Sequence, residues 1–354
     1  MKPFIIPIFI PNLGCPYRCI FCDQSKNTGK ENSYLTSEEI AEEITKWLGY
    51  RSDENRPVEV AFYGGTFTSL PIEEQGRMLK AASPFIDSGT VSSIRVSTRP
   101  DCLSEENLLL LQKYGVKTIE LGVQSMDDEV LRKSGREYSK ETVIEAVRLL
   151  KKYRFTVGIQ LMPGLPGDTF EKSMTTAEEV IGLAPQFVRI YPTVVIKDTK
   201  LHDLYISGQY IPLSLDEGVR WSAESVRRFR KMGIEVIRVG LQSAPTLEED
   251  GNIAAGPYHP AFGELVESYL NYTALEAIVA DRGDIEREVR VRVPQRELSA
   301  YIGNKGENRS RLAKRFNLGF TISGDETLEA DSIVYEAGDG KEIIYNREYL
   351  LNAD

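Results

Sequence analysis

Cysteine and histidine are scarce: four cysteines and two histidines, His202 and His259, in 354 residues. That shortage leaves few of the ligands a closed zinc site collects, and it excludes a disulfide-built secreted scaffold. Long apolar runs are missing too. The stretch 4–10 is apolar but short, broken by Pro7 and Pro11 and preceded only by Lys2, so it reads as a buried strand and not as a signal peptide or membrane span. Positive charge is in deficit, with 43 Lys and Arg against 53 Asp and Glu and a net charge of −10. This argues against general affinity for nucleic acid, so any RNA contact must come from a local basic patch. What remains, 41% hydrophobic and 27% charged residues, is an ordinary globular composition, long enough for one large domain and a small one.

Three of the four cysteines stand together in CPYRCIFC, as Cys15, Cys19 and Cys22 in the spacing C-x3-C-x2-C. Three such thiolates can hold three corners of a cubane 4Fe–4S cluster and leave the fourth iron open to a ligand. Zinc would need distant help from Cys102 or a histidine, and a disulfide would leave one thiol over. Clustered thiols that must stay reduced, with no targeting segment, point to the cytoplasm.

Downstream, strands and helices alternate. A helix begins near Ser37, and strands at 58–65, 92–98, 117–125, 155–164 and 186–193 are separated by helical patterns near 72–83, 104–113, 140–152 and 171–182. Counting the first strand, six units predict a parallel α/β sheet covered on both faces, with polar residues gathered where strands stop. Strand two ends in Gly64, Gly65 and Thr66, strand three in Ser97 and Arg99, and strand four in Gly122, Gln124 and Ser125. The glycine pair either lets backbone approach a ligand or makes a tight turn. Arg136 is either a bidentate anion grip or a loop arginine. Gln160 lies on strand five.

The cysteine loop and this order of strand ends resemble the radical S-adenosylmethionine (SAM) superfamily. The resemblance implies a partial (β/α)6 TIM-type barrel over residues 1–245, a 4Fe–4S cluster on Cys15, Cys19 and Cys22, and SAM chelated to the open iron and cleaved to a 5′-deoxyadenosyl radical by an electron from a reducing donor. It also implies that Phe21 lies near the adenine, although a core aromatic is the competing reading. Gly64, Gly65 and Thr66 would meet the SAM amino group, Arg136 its carboxylate and Gln160 the ribose, with Ser97 and Gln124 beside the barrel mouth. Over residues 3–245 the runs IRVSTRPDCL, ELGVQSMDDEVL, LMPGLPGDT and IYPTVVIKDTKL are most similar to the Elongator catalytic-subunit family, which modifies wobble uridines of tRNA. They are more loosely similar to oxygen-independent coproporphyrinogen dehydrogenases. Nothing in 246–354 looks like an acetyl-CoA pocket.

Residues 199–232 read as a helical extension with a basic face, followed by a strand at 234–242. A connecting loop and helix occupy 246–280, where Tyr258 and His259 are either a relay or satisfied turn residues. From 281 to 354 the pattern is a small α+β module: an alternating strand REVRVRVP, a helix, a loop Gly303-Asn304-Lys305-Gly306, a second helix and further strands. This resembles a KH domain, whose GxxG loop lies against a single-stranded backbone; a helix–turn–helix packing module is the alternative. Residues 281–316 hold ten Lys and Arg against six Asp and Glu, with Lys305, Arg309, Arg311, Lys314 and Arg315 around the second helix. The expected function is therefore a radical SAM enzyme that modifies an RNA base, with tRNA as partner and no membrane. Its rivals are an enzyme acting on a small precursor such as a porphyrin and an RNA-binding protein with a merely structural cluster.

Overall fold

Alternation within the strands sets the layers. On β3 (Ser93–Thr98) and β4 (Val116–Gln124), Ile94, Val96, Ile119 and Leu121 are fully buried in the core, while Arg95, Ser97, Glu120 and Gly122 occupy the opposite face. The computed structural model describes residues 3–10, 13–23, 34–242, 251–282, 288–337 and 341–352. The first half runs β1 (Phe4–Phe9), α1 (Ser37–Leu48), β2 (Val58–Tyr63), α2 (Ile72–Asp87), β3, α3 (Glu105–Lys113), β4, α4 (Asp128–Lys133), α5 (Lys140–Lys152), β5 (Thr156–Leu161), α6 (Phe170–Gly182) and β6 (Phe187–Ile190). Thr36, not Ser37, caps α1, in a reciprocal capping box with Glu39, an arrangement that contributes about 1 kcal/mol.

The expected parallel sheet is present and gains a strand. After β7 (Val195–Ile196), α7 (Lys200–Ile206) and α8 (Leu215–Lys231), β8 (Glu235–Val239) pairs with β6, giving a seven-stranded sheet of order β1-β2-β3-β4-β5-β6-β8. Every pairing in it is parallel, and β1 and β8 lie at opposite ends, so the sheet is an open half-barrel. The boundary expected at 245/246 lies outside the described residues. β9 (Ile253–Ala255) pairs antiparallel with β7, which places this segment beyond the C-terminal end of β6. His259 accepts a bond from Ala261 N at 3.1 Å, and its carbonyl accepts one from Phe262 N; it closes the turn into α9 (Phe262–Arg282).

The C-terminal module contains β10 (Glu288–Pro294), α10 (Leu298–Ile302), α11 (Glu307–Phe316), β11 (Gly319–Asp325), β12 (Ser332–Glu336), β13 (Glu342–Asn346) and α12 (Arg347–Asn352). Its mixed sheet has the order β11-β10-β12-β13, with β10 parallel to β11 and antiparallel to β12. Val289, Val291 and Val293 are buried, as the alternation predicts. Helix α9 packs on α8 of the half-barrel and on α10, α11 and α12 of the module. One buried core runs through both.

Candidate functional site

The cysteine loop is held from several sides. Gly65 admits it: a Cβ there would come within 2.2 Å of the Leu13 carbonyl oxygen and 2.6 Å of that of Ile10, and Thr66 N donates to Leu13 O at 2.9 Å. Gly64 takes a φ of 99°, a turn conformation open to glycine. Both residues thus perform a packing or turning task between β2 and the loop. On the far side Ile20 N donates to Ser134 O and Leu201 N to Ile20 O. Phe21 is buried among Val130, Leu165, Val195, Leu201 and Tyr210, so its ring anchors the loop to α4 and α7.

All three cysteines are free and half-buried. Cys15 Sγ lies 3.3 Å from Thr66 Oγ1, and Arg136 Nη1 donates to Cys19 Sγ at 3.4 Å. Burial, and then the neighbouring Cys19 and Cys15 sulfurs, push the Cys22 thiol well up. Crowded thiols of this kind ionise together only around a cationic centre.

Two polar groups sit at the strand ends. Gln124, at a positive φ of 72° on a bulge of β4, accepts from Gln160 Nε2 at 3.2 Å. Beside it Arg136 is buried and donates through Nη2 to Gly122 O. Its guanidinium lies 5.3 Å from the Tyr138 ring centre, and that of Arg99 lies 5.4 Å from the same ring. Arg136 is therefore no exposed loop arginine. Ser97 is in register with Glu120.

Beneath these ends lies a network that the sequence reading missed. Arg95 donates to Glu59 at 2.7 Å and to Glu120 at 2.9 Å, and Arg189 Nε donates to Glu120 at 2.7 Å. The Tyr63 hydroxyl donates to Glu120 at 2.9 Å and accepts from Arg189 at 3.0 Å. Burial alone would raise the Glu120 carboxyl, yet Arg189 and Arg95 together outweigh it and hold it below the usual range. The available signal was a charged residue set inside otherwise apolar strands, as with Glu59, Arg95, Glu120 and Arg189.

In the C-terminal module, Gly303 and Gly306 take positive φ values of 78° and 79°, as does Lys305 at 51°. A Cβ on Gly303 would come within 2.8 Å of Asn308 N. Asn308 Nδ2 in turn donates to Ser268 O at 2.9 Å, fixing the loop to α9. No side chain caps the start of α11. Of the basic residues expected around it, Arg311 lies over the Tyr272 ring at 4.7 Å, and Arg315 pairs with Glu276 at 2.6 Å. These two face back to α9. Among the described residues Lys305, Arg309 and Lys314 have no ion pair.

Comparison with known proteins decides the family. A model described as the radical SAM superfamily matches residues 9–180, and one described as the radical SAM C-terminal domain matches 185–272. An uncharacterized protein of Methanocaldococcus jannaschii is 33% identical over 226 residues, covering 61% of this chain and 68% of that protein. The chain belongs to the radical SAM superfamily. A protein named tRNA uridine(34) acetyltransferase from Methanocaldococcus infernus is 27% identical over 257 residues, 61% of this chain and 47% of the relative. The chain spans about half the length of the relatives of that name. In fold, the solved archaeal Elp3 of M. infernus, lacking its N-terminus, superposes with a TM-score of 0.59 at 24% identity over 75% of this chain and 62% of that one.

The radical SAM cofactors, a 4Fe–4S cluster and SAM, suit the residues present. Burial, and then the Cys19 and Cys15 sulfurs, raise the cost of ionising the Cys22 thiol, and a cluster would relieve that cost. Among the described residues no three His, Cys, Asp or Glu side chains could hold a single ion; three ligands to separate corners of a cubane need not converge. Two buried donors near Cys19, Arg99 Nη1 and Arg136 Nε, lack a partner among the described residues, as expected where an anionic group belongs. No helix among the described residues is long and apolar enough to cross a membrane.

Proposed function

We propose that this radical SAM enzyme modifies a base of tRNA, with the C-terminal module acting as a KH-like clamp on the RNA backbone. One observation carries the reading: a chain that bears a radical SAM site also bears a GxxG turn opening onto an uncapped helix start, with Lys305 and Arg309 beside it and, among the described residues, in no ion pair. Backbone N–H groups at a helix start favour phosphate, and lysine and arginine beside it release counterions on binding. The names of the relatives, tRNA uridine(34) acetyltransferase, make a wobble uridine the first base to examine.

Cys15, Cys19 and Cys22 would hold the cluster, and Gly64, Gly65, Thr66, Ser97, Gln124, Gln160 and Arg136 would surround SAM. When bound, these cofactors supply one-electron cleavage of a sulfonium bond and hence a carbon radical, given a reducing partner. The chain's own part is positional. The Gln124–Gln160 pair presents amide groups at adjacent strand ends, Phe21 immobilises the cysteine loop, and the charged lumen keeps the strand ends in register. A base must leave its stack to reach such a mouth, so Gly303, Asn304, Lys305, Gly306 and Arg309 would hold the flanking backbone while one nucleotide swings in.

The test is nucleoside mass spectrometry of tRNA from cells with and without the protein. One modified nucleoside should vanish and return with wild-type protein but not with Cys19→Ser. An unchanged tRNA profile would overturn the reading and favour a small-molecule substrate.

A further inference from the structure

The two buried arginines beside Cys19 are held in a way that binding SAM does not require. Arg136 spends Nη1 on the Cys19 sulfur and Nη2 on Gly122 O. A Cβ at Gly122 would lie 3.2 Å from that nitrogen, so glycine keeps the approach open. Arg99 is locked by a bidentate pair with Asp101, at 2.9 and 2.8 Å. The Tyr138 ring lies against both guanidiniums, its hydroxyl donating to Gly122 O at 2.9 Å and Val123 O at 3.0 Å. Arg99 and Arg136 are only 3% and 5% exposed, and each keeps one buried nitrogen without a partner among the described residues. Two cations against one carboxylate leave a net positive charge on this side of Cys19.

We propose that Arg136 and Arg99 set the reduction potential of the cluster at its Cys19 corner, with Tyr138, against which both pack, as the positioning residue. The inference rests on the cofactor assignment. A donor to a cysteine sulfur withdraws electron density, and a buried positive charge favours the reduced cluster, which is more negative by one electron. Both effects make the potential less negative and the cluster easier to reduce. A cluster held by Cys19 would bring further acceptors close to the orphaned N–H groups of Arg99 and Arg136.

The test uses the full-length protein, reconstituted anaerobically and titrated with redox mediators in the absence of SAM, the reduced cluster being read by electron paramagnetic resonance. Arg136→Gln should lower the ratio of reduced to oxidised cluster at a fixed potential about tenfold, a shift of ~59 mV for one electron. Arg136→Lys, which keeps the charge and loses the fork, should shift less. Arg99→Gln should shift in the same direction. Iron and sulfide per chain are measured on each sample, and if Arg136→Gln fails to load, the other two variants must still shift to more negative values. Unmoved potentials in the variants that load, with weakened SAM binding alone by equilibrium dialysis, would overturn the proposal and leave Arg136 as a cosubstrate ligand. A wild-type protein that takes up no cluster would instead remove the assignment beneath it.

Discussion

Inside the half-barrel, Glu59, Arg95, Glu120 and Arg189 meet across four strands and satisfy one another. At the GxxG turn and along α11, Lys305, Arg309 and Lys314 pair with no carboxylate among the described residues, although Arg311 and Arg315 find partners on α9. Charge that is buried and paired holds strands together; charge that is exposed and left open is available to something else. The same side-chain types therefore carry different meanings in the two regions, and the difference lies in their neighbours.

The sharpest way to break this comparison is Glu120→Gln, which takes from Arg189 its carboxylate partner and leaves Arg95 with Glu59 alone in a dry setting. Loss of one partner of such a buried network costs about 3–5 kcal/mol, to be read from denaturant unfolding. Because the Glu120 carboxyl is held below its unfolded value, its contribution is complete above about pH 4.3 and is lost as pH falls through the folded value. Acid titration of the variant should therefore show a shallower decline below pH 4 than the wild type does.

A smaller effect is expected where the module's loop is tied to α9. Asn308→Ala removes the donors to Ser268 O, Ser268 Oγ and Tyr301 O and should cost about 1–3 kcal/mol. Lys305→Glu with Arg309→Glu should leave unfolding within about 0.5 kcal/mol while reducing the salt dependence of tRNA binding by about 1.4 in log–log slope, two single-strand contacts. An unchanged slope in filter binding would dismiss the open cations as a backbone site. Least of all, Arg315→Ala should change stability by under about 1 kcal/mol, since its pair with Glu276 is largely exposed, and should leave the slope alone.

Much of the half-barrel was legible because its signals are local. Apolar strands, capped helices and a three-cysteine loop each declare themselves within about ten residues. The seventh strand was legible as a strand but not as a member of the sheet, because its neighbour β6 lies beyond two intervening helices. Arg95, Glu120 and Arg189 were visible as charges on buried strands, yet nothing in a strand reveals which residue faces it from another. Arg136 was singled out for an anion, while its hold on Cys19 spans 117 positions and only the folded chain discloses it. Which of the five cations on and before α11 turn back to α9 was hidden for the same reason: Tyr272 and Glu276 engage Arg311 and Arg315.

Helix α9 is a party wall. It leans on α8 on one side and on α10, α11 and α12 on the other, and Arg347 reaches across to Asn271 at 2.8 Å while Arg227 holds the Leu351 carbonyl at 3.0 Å. Neither tenant can leave without exposing the other's plaster. Heat should therefore bring both down in a single calorimetric step, and the slowest-exchanging amides of residues 262–282 should open with those of the parallel sheet.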